Sequence, residues 1–375
     1  MFRSAFAAIL ALVPIQSSAA DSECAAASAD FGCYMAKAAH LVVRERGNLG
    51  WSGQAYMTRD FDYGSTKIRA NPSKISFPTR RPGDERISCN GAVLETWFKS
   101  IQLYQADHPN WKPEDVIPAS HWNSESLKYP RAHINMYEIM EMPPVETLLR
   151  GNVNLDPELR NDLLAYDVKS VAHGLERFGL AEVIPIAALE AGDVITFDRK
   201  TYDVYQGRMT AKENFHSTHS AIFISWLDEN QQEVAQYSRA KGFKYVSSQT
   251  NDGGSGLGYR WAYFSGFCPQ DPSNVIGAND KRYCPDQRRQ DTGSYTPAFP
   301  KQKPRQKSDC CVIHANAAEH SRGIVAGRIR SPTHWSEYAE KQRLNEERFN
   351  ALVGGVKASL SERVASNRQR KRDSE

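Results

Sequence analysis

Between Leu189 and Phe264 the chain breaks into short apolar runs divided by polar turns, a pattern that commits this segment to an antiparallel sheet. Leu189 to Phe197 reads as a Gly-Asp turn entering a strand, and further strands are expected at about 219–226, 233–238, 243–247 and 259–264. The polar run from Asp228 to Gln232 supplies a hairpin turn. Upstream, Val93, Leu94, Trp97, Phe98, Ile101 and Tyr104 recur at three- and four-residue spacing, so a helix buries one face and carries Cys89 at its leading edge. A second helix is predicted from about Phe31 to Arg46, capped by Asp30 and ended by Gly47, with Tyr34, Ala38, Leu41 and Val42 on one face. The expected fold class is α+β, a cysteine-bearing helix packed on an antiparallel sheet.

Arg3, the apolar stretch from Ala5 to Ile15 and Ser18-Ala19-Ala20 before Asp21 read as a secretory signal peptide over residues 1–20. That stretch is shorter than the roughly 20 apolar residues a membrane-spanning helix needs, so the mature chain is expected to be exported without a transmembrane helix, to a periplasmic or extracellular setting. Seven cysteines in such a compartment leave one over. Cys89 lies alone in mid-chain while Cys24, Cys33, Cys268, Cys284, Cys310 and Cys311 cluster toward the ends, which marks Cys89 as the thiol. Connectivity among the six stays open, with Cys268–Cys284 the local pair. Residues 21–268 are read as one domain interrupted by a helical insertion at about 106–185, with helical pieces near 143–150, 156–168 and 170–178. Residues 269–375 are read as a basic, disulfide-containing linker and helical extension. From Lys281 onward 20 Lys and Arg stand against 11 Asp and Glu, a surplus that attracts anionic envelope polymers or head groups, or simply solvates a tail; no nucleic acid partner is expected.

A thiol at a helix N-terminus faces unpaired backbone N–H groups and the positive end of the dipole, both of which favour thiolate, and an imidazole within reach favours it further. His219 opens the strand Ser220-Ala221-Ile222-Phe223-Ile224 and is the candidate imidazole. Ser88, just ahead of the cysteine, has the residue type of a helix cap. Cys89-Asn90-Gly91 on a helix start, the Gly192-Asp193 strand entry and His219-Ser-Ala-Ile-Phe-Ile, in that order, resemble the NlpC/P60 family of cell-wall cysteine peptidases over about 85–105 and 180–265. Ser88 stands where that family usually has Asp. The resemblance implies a papain-like core, Cys89 as nucleophile, His219 as base, and an orienting polar group on the next strand, where Gln236 falls. It implies peptidoglycan stem peptides as substrate and no cofactor. Tyr56 and Tyr63 are the candidates for the family's upstream aromatic.

Three functional classes follow. The first is an exported hydrolase that cuts amide bonds through a thioester at Cys89, or a relative acting on another envelope amide or ester. The second is a non-catalytic envelope-binding or scaffold protein on a degenerate core. The third reads His216 and His219 as metal ligands; with no third histidine nearby in sequence, and with residues three apart in a strand facing opposite sides, no metal site is assigned.

Overall fold

The structure is a computed structural model that describes residues 31–47, 49–51, 59–68, 86–121, 157–159, 170–205, 208–228, 230, 232–249, 256–264, 308–312 and 324–374. It is a mixed α+β fold. Helices α1 (Phe31–Arg46) and α2 (Cys89–Asp107) pack on each other and on one side of a large sheet. Their apolar stripes explain this: Tyr34, Met35, Ala38, Ala39 and Val42 of α1 are buried, as are Val93, Leu94, Trp97, Phe98 and Ile101 of α2. A short helix, α3 (Val171–Arg177), joins the same layer. A long helix, α4 (Tyr338–Ser374), follows a 3-10 turn at Pro332–Glu337.

Small pairs β1 (Gly50–Trp51) with β4 (Arg86–Ile87) and β2 (Phe61–Tyr63) with β3 (Thr66–Ile68) flank α2. The main sheet holds β5 (Ala181–Ile184), β6 (Val194–Tyr205), β7 (Arg208–Leu227), β8 (Glu233–Val234), β9 (Gly242–Gln249), β10 (Gly256–Phe264), β11 (Ser308–Val312) and β12 (Ile324–Ile329), in the order β5-β12-β6-β11-β10-β9-β7-β8. Because β6 also pairs with β7, strands β6, β7, β9, β10 and β11 close into a ring. All neighbours are antiparallel except β10 and β11.

Strand alternation gives the sheet two apolar sides. Val194, Ile222, Ile224, Val246 and Leu257 pack outward against α1, α2 and α3. Ile195, Phe197, Ala221, Phe223, Phe243, Tyr245, Ala262 and Phe264 form the inner cluster.

The Gly-Asp turn ties these layers together. Gly192 N–H donates to Phe223 O (2.9 Å), and Phe223 N–H donates to Asp193 O (2.8 Å). Gly192 adopts φ +97°, and a Cβ there would stand 2.1 Å from Gly32 O of α1. Asp193, 1% exposed, accepts two hydrogen bonds from Arg328 of β12 (3.0 Å each) and one from Glu190 N–H (2.7 Å). Burial pushes the Asp193 carboxyl up, and Arg328 and the Glu190 N–H pull it back.

Several expectations are corrected. The stretch assigned to a helical insertion ends in the core: α3 and β5 belong to the main helix layer and sheet, residues 157–159 are helical, and the piece at 143–150 lies outside the described residues. The presumed C-terminal extension contributes β12 between β5 and β6, and Trp335, fully buried, meets Phe31, Trp97 and Trp111 at 5.5–5.9 Å between ring centroids. The strand expected over 233–238 is only two residues long and gives way to a 3-10 turn at Tyr237–Arg239. Tyr237 stacks on Trp226 there (5.0 Å), and Lys241 N–H donates to Leu227 O (2.7 Å), so the chain turns to start β9. The signal-peptide stretch lies outside the described residues, and among those described no helix is long and apolar enough to cross a membrane.

Replacing Gly192 by Ala is expected to cost roughly 2–3 kcal/mol, since the side chain would meet α1 backbone in a left-handed conformation. Urea unfolding measures this, and an unchanged midpoint would show that the turn relaxes without cost. A second prediction concerns His40 of α1, which is hydrogen-bonded through Nδ1 to the Tyr259 hydroxyl of β10. Burial, helped by Lys244, lowers its pKa from 6.5, with Glu233 opposing. A histidine that resists protonation when folded stabilises the fold above its unfolded pKa and loses that contribution as pH falls through the lower folded value. Stability is therefore expected to drop as pH falls below about 6.5, and His40→Gln should flatten that part of the denaturation profile.

Candidate active site

Cys89 is the first residue of α2 and carries a half-buried thiol outside any disulfide. Cys33 on α1 is disulfide-bonded. The helix starts here because Ser88 is extended (φ −81°, ψ 171°) and its Oγ accepts from Gly91 N–H (2.9 Å), while Ala92 N–H donates to Ser88 O (3.0 Å). The reading of Ser88 as a cap therefore matches its observed contact. The thiol lies 4.0 Å from Asn90 Oδ1.

The helix start is pinned to one end of the ring of strands. Ser248 Oγ of β9 donates to Ile87 O (2.8 Å), two residues before the cysteine. Leu257 N–H of β10 donates to Leu49 O (3.2 Å) beside β1, which pairs with β4. Further along α2 the wholly buried Glu95 faces Arg59 Nε at 3.8 Å, and Arg59 also holds Glu45 at 2.9 Å. These contacts leave the helix little freedom to slide over the sheet.

His219 lies on β7 at that same end, beside Ser220, whose carbonyl accepts from Ser247 Oγ of β9 (2.6 Å). Its side chain is buried, at 4% exposure, and its ring meets Phe197 (5.5 Å) and Tyr245 (5.9 Å) edge-on. Both neighbours belong to the inner cluster, whereas α2 packs on the outer one. The cross-strand pairs agree: His219 stands opposite Phe197, and Ile222, opposite Val194, faces the helices. The structure thus brings Cys89, at the start of α2, and His219, on β7, to one end of the ring.

Gln236 is not brought to this place. It is exposed, precedes the 3-10 turn, and follows β8, which pairs with Trp226 and Leu227 at the far end of β7. Seven residues of strand between His219 and Trp226 span about 23 Å, so Gln236 is corrected as the orienting group. The strand beside β7 near His219 is β9. Extending the register Ile222↔Val246 by three residues puts Gln249, the last residue of β9, opposite His219. Tyr63 is engaged elsewhere, donating to the Pro113 and Ile117 carbonyls (3.2 and 2.9 Å), and Tyr56 lies outside the described residues. His216 is in β7, opposite Lys200. A separate cleft lined by Phe31, Glu182, Glu190, Arg328, Arg330 and His334 does not include the thiol.

No family model matches the chain, and no curated protein or solved structure is similar to it.

Removal of the cap is the direct test of how the thiol is placed. Ser88→Ala is expected to destabilise the protein by about 1 kcal/mol and to slow alkylation of Cys89 by iodoacetamide, because the first turn that presents the thiol frays. An alkylation rate equal to that of the unmodified protein would show that the cap does not govern the thiol.

Proposed function

We propose that the protein is an exported cysteine hydrolase that cuts amide bonds in peptidoglycan stem peptides. The observation that carries this reading is the half-exposed thiol of Cys89 at the N-terminus of a capped helix pinned to the sheet. In this reading the Cys89 thiolate adds to the amide carbonyl, the oxyanion is met by backbone N–H at the helix start, the amine leaves with a proton, and water then hydrolyses the thioester. His219 is the base and proton donor of the scheme. The papain-like core and the peptide substrate rest on the resemblance of the Cys89, Gly192-Asp193 and His219 motifs, and export rests on the signal-peptide reading of residues 1–20.

Ser88, standing where the family usually has Asp, favours a second reading, a non-catalytic envelope-binding protein on the same framework. Incubation of purified sacculi with the mature protein, with Cys89→Ala and with His219→Ala separates the two. The hydrolase reading expects peptide fragments, identified by mass, whose release falls at least about a hundredfold in either variant. Binding of sacculi without release of fragments overturns it in favour of the second reading. Equal release by Cys89→Ala overturns the assignment of the nucleophile.

A further inference from the structure

Helix α4 changes character midway. From Tyr338 to Val356 it holds three Lys and Arg against three Asp and Glu, and it is docked on the body. Tyr338 is buried against Phe178 (6.1 Å between rings), Asn345 Nδ2 donates to Arg177 O (3.1 Å), and Leu352 and Val356 are 8% and 3% exposed. From Lys357 to Ser374 it holds six Lys and Arg against two Asp and Glu. Every described side chain in that second half is exposed. At 1.5 Å per residue it extends over about 27 Å.

The apolar line of the docked half does not stop where the docking stops. Leu352, Val356, Leu360 and Val364 follow one another at four-residue spacing, which keeps them on one slowly turning face. Val364 is 51% exposed, in a segment whose sequence also holds Arg363, Arg368, Arg370, Lys371 and Arg372. A polyanion is recognised by charge alone and has no use for an exposed valine. An anionic bilayer interface takes both an apolar stripe and a basic surround.

We propose that the second half of α4, residues 357–374, is a docking element for the surface of an anionic phospholipid bilayer. The basic residues draw the helix to the head groups, and Val364 with Leu360 enters the boundary between head groups and acyl chains. The docked half, held by Tyr338, Asn345, Leu352 and Val356, fixes the helix to the body, so the bilayer would be met by this edge of the molecule. The inference does not depend on any activity at Cys89.

Flotation of the full chain with vesicles tests it. Binding is expected to vesicles containing phosphatidylglycerol, not to pure phosphatidylcholine, and to fall in high salt. Replacing Arg368, Arg370 and Arg372 together by Gln should weaken it by about a hundredfold. Val364→Ser leaves the charge unchanged and is expected to weaken vesicle binding measurably while leaving retention on heparin unaltered. Circular dichroism and thermal unfolding confirm that each variant is folded. The proposal is overturned if the folded chain does not float with anionic vesicles. It is also overturned if Val364→Ser binds them undiminished, which would leave a purely electrostatic polyanion contact.

Discussion

The paired carboxylate and guanidinium of Asp193 and Arg328 hold distant parts of the chain in one structure. Asp193 sits in the turn that starts β6, and Arg328 belongs to β12, more than a hundred residues later. Arg328 also reaches Ala188 O (2.7 Å) and Glu190 (3.2 Å), so a single guanidinium closes the turn and clamps the strand beside it. A carboxylate that is 1% exposed is tolerable only with such partners, and its loss would leave an uncompensated charge inside the fold. With the turn fixed, Gly192 can lie against α1, and Phe223 is locked in register through the backbone of Gly192 and Asp193.

From this clamp the layering follows. β6 and β7 pair along most of their length, and strand alternation then assigns each side chain to the helix layer or to the interior of the ring. The helix layer is unusually aromatic at its far end, where Trp335 fits between Phe31, Trp97 and Trp111, its Nε1–H donating to Arg330 O (2.9 Å). The C-terminal part of the chain is therefore a component of the core, not an addition to it. Gly327 of β12 belongs to the same logic: a Cβ there would lie 2.6 Å from the Ala172 side chain, so its absence lets α3 approach the strand.

The same alternation governs the candidate chemistry. A helix start and a strand can be brought to one end of a sheet by packing alone, as Ser248 and Ile87 show. Whether two side chains then meet depends on the parity of a single strand position. Here parity sends the His219 ring toward Phe197 and Tyr245.

Much of the framework was legible in the sequence. The three- and four-residue spacing of Tyr34, Ala38 and Val42, and of Val93, Trp97 and Ile101, marked α1 and α2, and the observed helices cover Phe31–Arg46 and Cys89–Asp107. The strand runs near 219–226, 243–247 and 259–264 were likewise found inside longer strands. These patterns are local, and local propensity with one buried face is enough to set them. β12 was missed because Ile324-Val325-Ala326-Gly327-Arg328-Ile329 is buried on both sides and shows no alternation. Residues 233–238 were misread because Val234 and Tyr237 have strand-like side chains, yet the packing of Tyr237 on Trp226 turns the chain there. The residue types and their order thus determined the helices, most strands and the thiol at a helix start. Only the tertiary structure decided which strand lies beside β7 and which way His219 points, because both follow from ladder register, and register is set by contacts between segments far apart in the chain.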